Sequence, residues 1–189
     1  KNQLISMQAL IEEEKYDKAM DYMNSMIEKI EVTKKFVFTK NDMFNAIINS
    51  KFTEANSKNI KTTVNICCDI DNQMEDSDIN ILFGNLLDNA IESCEKSEGH
   101  KEINLLIEKK KNYLYIQVAN SIYQPVLQNN PELHTSKTDK ENHGMGIKSI
   151  KKIVQKYDGI MDFIEKEGLF ICNILILPEK SKYAYQVSL

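Results

Sequence analysis

Two asparagines four residues apart, Asn85 and Asn89, and two glycines two residues apart, Gly144 and Gly146, are the positions whose types and spacing could do chemistry. Side chains at i and i+4 of a helix project side by side. A carboxamide offers an oxygen that can ligate a hard cation and a nitrogen that can donate to a phosphate oxygen. Magnesium takes few protein ligands and keeps several waters, so one asparagine with the oxygens of a polyphosphate makes a sufficient set. Gly144 and Gly146 stand directly before a helical pattern. Unpaired N–H groups and the helix dipole favour anions there, and a missing Cβ lets a phosphate approach the backbone. Each feature has a bland counterpart, because an amide face can simply meet solvent and two glycines can form a hinge. The chain holds no G-x-x-x-x-G-K-[ST] loop, and its glycines do not follow a strand as a dinucleotide fingerprint requires.

The elements that must position these residues can be read from periodicity. Between Asp76 and Glu95, the apolar residues Ile79, Leu82, Phe83, Leu86, Leu87, Ala90, Ile91 and Cys94 fall on one broad face at about 100° per residue. Asp78, Asn85, Asp88, Asn89 and Glu92 gather opposite, which predicts a helix with a core side and a polar side. A helix is expected from Asn41 to Ser57 and a β-branched strand from Thr62 to Cys68. Strands Glu102 to Lys109 and Tyr113 to Ala119 should pair across a basic turn. The polar stretch from Asn120 to Asn142 is longer than compact domains usually keep without a purpose, and reads as a lid. An amphipathic helix from Ile147 to Tyr157 should end at Asp158-Gly159, the glycine taking the left-handed C-terminal position. A hairpin about Glu167-Gly168 closes the pattern. From Leu4 to Ile30 neither Gly nor Pro interrupts a helical arm, although Glu12 to Lys15 could be either a solvated helical face or the bend of a hairpin. The order predicts an α+β fold, a two-layer α/β sandwich whose mixed sheet is covered by helices on one face, with an N-terminal helical arm.

Composition excludes several function classes. A net charge of −4 over 189 residues gives no electrostatic reason for nucleic-acid binding. Cys67, Cys68, Cys94 and Cys172 form no C-x-x-C pair and no cluster with the three histidines, so neither a zinc site nor a disulfide framework is indicated. A reducing cytoplasm is the expected compartment. No apolar run approaches the roughly 20 residues of a membrane span. The chain begins at Lys1 and is expected to be a fragment.

The order of an Asn-bearing helix, a polar lid, a G-x-G turn opening a helix and a closing hairpin resembles the GHKL (Bergerat-fold) ATP-binding domain. Asn85-Leu86-Leu87-Asp88-Asn89-Ala90 is similar to the N-box, and Gly144-Met145-Gly146-Ile147 to the second glycine box. Taken with Ile91-Glu92 and with His143 through Ile150, these stretches resemble the peptide-pheromone-sensing kinases of the accessory-gene-regulator and clostridial virulence-sensor type. The resemblance implies a sensor histidine kinase that uses ATP and Mg²⁺, with Asn89 as the metal ligand and Asn85 contacting phosphate or a metal-bound water. It further implies nucleotide contacts from Asn120, Lys137, His143, Gly144 and Gly146, with Thr135-Ser136 beside Lys137 in the lid. Hydrolytic members place a glutamate at the position of Asn85. An amide cannot take a proton from water, so transfer to a protein nucleophile is favoured, with Glu92 as the one carboxylate that complicates this.

Two departures limit the match. The first glycine box, D-x-G-x-G, is replaced by Asn120-Ser121-Ile122-Tyr123, so adenine would meet an uncharged amide oxygen. Lys1-Asn2-Gln3 resembles the end of an H-D-x-K-N acceptor stretch, which puts the acceptor histidine upstream. His100, His134 and His143 sit in loop or lid positions. The implied organisation is a dimerising helical hairpin at 1–35 with Met20, Met23, Ile27 and Ile30 in its core, a catalytic domain at 36–178 and a tail at 179–189. The implied partners are a response regulator and a second copy of the chain, in a parent protein anchored to the membrane. Two other readings stay open: a scaffold or phosphotransfer protein with degenerate nucleotide binding, and an ATP-hydrolysing switch.

Overall fold

The computed structural model describes residues 10–13, 15–23, 36–37, 39–71, 73–128, 130 and 146–178. The chain divides into two compact units, Lys1–Lys35 and Phe36–Leu189. In the first, residues 10–12 and 16–23 are helical, with a turn at Glu13 between them. The Lys15 N–H reaches Leu10 C=O at 2.9 Å and its Nζ reaches Glu13 at 2.6 Å. The acidic stretch is therefore a break between helical segments and not one continuous face. Ala19 is buried, whereas Met20 and Met23, expected in a hairpin core, are exposed. Burying a methionine needs a facing layer of side chains, and the described residues of this unit supply none. Ile27 and Ile30 lie outside the described residues, as does the tail at 179–189.

The second unit runs α1 (Asp42–Ser57), β1 (Lys61–Ile66), α2 (Asp76–Glu95), β2 (Glu102–Lys110), β3 (Tyr113–Ser121), α3 (Gly146–Lys156), β4 (Ile160–Lys166) and β5 (Leu169–Ile176). The strands form one mixed sheet in the order β1-β2-β3-β5-β4. β1 and β2 are parallel because α2 makes the crossover between them; every other pairing is antiparallel. Alternate residues of the strands, among them Ile103, Leu105 and Ile107 of β2 and Leu114, Ile116 and Val118 of β3, are buried. They meet Phe44, Ile48 and Phe52 of α1, the predicted stripe of α2, and Ile150, Ile153 and Val154 of α3 in one core. Each fully buried large aliphatic or aromatic side chain there contributes about 1.5–3 kcal/mol. Helix α2 has the bounds its periodicity predicts.

The capping chemistry accounts for where the helices stop. Asn41 starts α1 by accepting the Phe44 N–H at 2.7 Å. At the end of α3, Gly159 N–H bonds Val154 C=O at 2.9 Å and Asp158 N–H bonds Gln155 C=O at 3.1 Å, a Schellman pattern. The left-handed residue is Asp158, at φ 47°, and not Gly159 as the sequence suggested. Gly159 is needed for another reason: a Cβ there would lie 2.5 Å from the Leu175 carbonyl oxygen of β5.

On α1 a second i, i+4 asparagine pair does structural work. Asn49 exchanges two hydrogen bonds with the Val37 backbone at 3.0 and 2.9 Å. Asn45 accepts from Thr39 N–H and donates to its C=O, both at 2.8 Å. The amides stand in for a neighbouring strand and fix where the chain enters the domain.

Candidate functional site

Helix α2 presents Asn85 half-buried and Asn89 exposed on the side away from its apolar stripe. The Asn85 Nδ2 donates to the Ile81 carbonyl at 2.6 Å, which turns Oδ1 outward. Gly146, the first residue of α3, packs against that face. A Cβ on Gly146 would meet Asn85 Oδ1 at 3.3 Å and both the nitrogen and the oxygen of the Asn89 amide at 3.7 Å. Three residues that sequence spacing could only propose separately therefore share one place, the start of α3 against two carboxamides. A glycine is what permits that approach.

Asn120 continues the buried, helix-covered face of β3, following Val118 by one strand period, and is only 4% exposed. Its Nδ2 donates to Ser121 C=O at 3.0 Å. The same carbonyl takes Ser93 Oγ at 3.4 Å and Cys94 Sγ at 3.8 Å. Ser93 lies one helical turn beyond Asn89, so the end of β3 is stitched to α2 just past the asparagine pair. Lys137, His143 and Gly144, with Thr135 and Ser136, lie outside the described residues.

The rest of the predicted polar face divides. Asp88 turns toward α1 and pairs with Lys51 at 2.5 Å. Burial works against the Lys51 charge, but the carboxylates of Asp88 and Glu54 outweigh it and hold its pKa above the ordinary lysine value. Glu92 is half-buried. Asp78 is no part of an exposed face. It is 5% exposed, and its Oδ2 accepts from Tyr157 Oη at 2.7 Å and from Lys156 Nζ at 2.6 Å. Tyr157 is separated from Asp78 by 79 residues, and no local pattern signals such a pairing. The polar stretch after β3 meets another unforeseen anchor, Glu165 of β4, whose Oε1 accepts from Val126 N–H at 2.5 Å and Leu127 N–H at 2.8 Å. Among the described residues, no group of three or more His, Cys, Asp or Glu side chains could hold a metal ion. The exposed Asn89 amide beside Gly146 fits a magnesium ion that takes most of its oxygens from phosphates and water.

Solved structures resemble this arrangement. The catalytic domain of the histidine kinase ThkA, in a nucleotide-free form, superposes with a TM-score of 0.59 at 18% identity, covering 75% of this chain and 93% of that one. The histidine kinase domain of a blue-light-activated kinase from Erythrobacter litoralis EL346 gives 0.55 at 15% identity, over 79% of this chain and 67% of that one. The mycobacterial sensor histidine kinase MprB gives 0.52 at 12% identity, over 70% of this chain and 94% of that one. At these identities the likeness shows the fold, a mixed five-stranded sheet packed with helices as in histidine kinase catalytic domains. No curated protein matches the chain in sequence. The family model of the GHKL domain matches residues 74–177, more than half of the chain and the stretch that carries Asn85, Asn89, Asn120 and Gly146, and the chain belongs to that family.

Proposed function

We propose that this chain is the ATP-binding catalytic portion of a two-component sensor histidine kinase, which transfers the γ-phosphoryl group of ATP to a histidine for relay to a response-regulator aspartate. The observation that carries this reading is the packing of Gly146 against Asn85 and Asn89. Phosphoryl transfer needs little covalent help from protein, and its catalysis is largely alignment and charge neutralisation of the phosphates. Asn89 holds Mg²⁺ in this reading, and the ion supplies charge neutralisation at the phosphate oxygens. Asn85 orients a phosphate or a metal-bound water, and the N–H groups at the start of α3 near Gly144 and Gly146 receive phosphate oxygens. Asn120 accepts from the adenine amino group at the buried end of β3, while Lys137 and His143 contact the nucleotide from the lid. With an amide and not a carboxylate at position 85, that position lacks the base that hydrolysis needs.

The same reading assigns residues 1–35 to a dimerising helical arm, residues 36–178 to the catalytic domain and residues 179–189 to a tail. The acceptor histidine lies upstream, in a membrane-anchored parent whose catalytic part is cytoplasmic and whose type is the peptide-pheromone-sensing kinases. The test extends the chain upstream to include the H-D-x-K-N stretch and supplies γ-labelled ATP with Mg²⁺. Acid-labile, base-stable label on histidine is the expected result, lost in Asn89→Ala. Steady release of inorganic phosphate with no protein label would overturn the kinase assignment.

A further inference from the structure

Asp78 is a buried carboxylate that the nucleotide chemistry leaves unused. It sits in the first turn of α2, 5% exposed, and one oxygen takes both the Tyr157 hydroxyl at 2.7 Å and the Lys156 ammonium at 2.6 Å. Lys156 also reaches Glu75 at 2.6 Å, and the Tyr157 hydroxyl accepts the Glu75 backbone N–H at 2.9 Å. The donors stand at the C-terminal end of α3 and the carboxylates at the N-terminal end of α2, so the helices run antiparallel. Each charge also sits at the helix end whose dipole favours it.

The opposite end of the same helix pair is the candidate site. Gly146 lies ten residues before Lys156, about 15 Å along α3 at about 1.5 Å per residue. Asn85 and Asn89 lie seven and eleven residues beyond Asp78, about 10 and 17 Å along α2 by the same rise. The two spans match, so closing the polar cluster at one end brings Gly146 level with the asparagines at the other. Between the ends, α3 buries only Ile150, Ile153 and Val154. Apolar side chains tolerate a shifted register better than buried polar groups, whose partners must be met.

We propose that Asp78, Tyr157 and Lys156 form a latch that sets the register of α3 against α2 and so positions Gly146 on Asn85 and Asn89. These are positioning residues for the nucleotide site, and the proposal rests on the nucleotide reading above. Cutting the latch therefore acts on affinity through geometry, over and above any loss of stability.

The test compares wild type, Tyr157→Phe, Gly146→Ala and the double variant in the full chain, Lys1–Leu189. A fluorescent ATP analogue with Mg²⁺ is titrated, at a temperature where urea unfolding shows each protein to be folded. Amide exchange is followed at Ile147 through Ile150 without nucleotide. Tyr157→Phe removes one hydroxyl from a charged acceptor and should weaken binding about five- to tenfold, with faster exchange at the start of α3. Its effect should combine with that of Gly146→Ala non-multiplicatively by more than about twofold, although sites this far apart are ordinarily independent. Unchanged affinity in Tyr157→Phe together with unchanged exchange at Ile147 through Ile150, or effects that simply multiply, would overturn the latch. If wild type itself binds no analogue, the nucleotide reading fails, and the exchange comparison alone decides the latch.

Discussion

Gly146 and Asn85 stand so close that a Cβ on the glycine would lie 3.3 Å from the asparagine's Oδ1. That distance is tight without being prohibitive, and Gly146 is already helical as the first residue of α3. The constraint on this glycine is therefore space beside the amides and not backbone freedom.

Gly146→Ala separates the two effects. Alanine is favoured over glycine in a helix by up to about 1 kcal/mol, so the melting temperature should hold or rise slightly. The added methyl displaces the Asn85 amide by a few tenths of an ångström, and affinity for Mg-ATP should fall several-fold. Calorimetric melting and nucleotide titration on one preparation check this; a fall in stability with unchanged affinity would contradict it.

Asn85→Ala should act in the same direction. Among the described residues its amide donates to the Ile81 carbonyl one turn back, a local bond that does little for a helix. Stability should stay within about 0.5 kcal/mol of wild type, as for surface substitutions. Affinity for ATP should fall about tenfold, equivalent to about 1.4 kcal/mol. Urea unfolding and titration give the two numbers.

Gly159→Ala should do the opposite, damaging the fold and leaving no specific nucleotide signature. Its Cβ would meet Leu175 O at 2.5 Å, Ile176 Cγ2 at 2.8 Å and Val154 Cγ1 at 3.0 Å. The nearest of these is strand backbone, which cannot rotate away. Overpacking of this kind costs about 1–3 kcal/mol, to be read as a lowered urea midpoint.

Stability should also fall in alkali. Burial pushes the Cys172 thiol up to about 12, while an unfolded thiol ionises near about 8.5. Between those values the folded state keeps a proton that the unfolded state has lost, so stability declines as pH rises through that window. The stabilisation from Lys156, whose pKa is raised by hydrogen bonds to Asp78 and Glu75, is complete below about 10.4. It is lost only as pH rises through its higher folded value. Cys172→Ala should flatten the slope by about 1.4 kcal/mol per pH unit above about pH 9. Urea unfolding under reducing conditions between pH 7 and 10.5 measures it.

How far the sequence could be read depended on whether the deciding interaction was local. The stripe from Ile79 to Cys94 repeats within single turns, and α2 runs Asp76–Glu95 as that stripe requires. The pairing of Asn85 with Asn89 was equally legible, but its meaning was not, since Asn45 and Asn49 share the spacing and serve only to hold Val37 and Thr39. What distinguishes the two pairs is what faces them, a strand-like backbone in one case and Gly146 in the other. The burial of Asp78 within the polar face is hidden for the same reason: helix geometry gives its direction, but not the arrival of Tyr157 and Lys156 from the far end of the domain. Gly159 was rightly singled out, with a local reason where the actual one is the Leu175 backbone.

The central question for this site is whether the Asn85, Asn89 and Gly146 face binds nucleotide through magnesium. Titration of a fluorescent ATP analogue into wild type and Asn89→Ala, each with Mg²⁺ and with chelator, tests this. The exposed Asn89 side chain makes loss of fold an improbable cause of any change, and melting curves verify it. Binding to wild type that weakens at least tenfold on chelation, with Asn89→Ala insensitive to magnesium, is the predicted result. No binding at near-millimolar nucleotide, or magnesium-dependent binding that Asn89→Ala leaves intact, would contradict it.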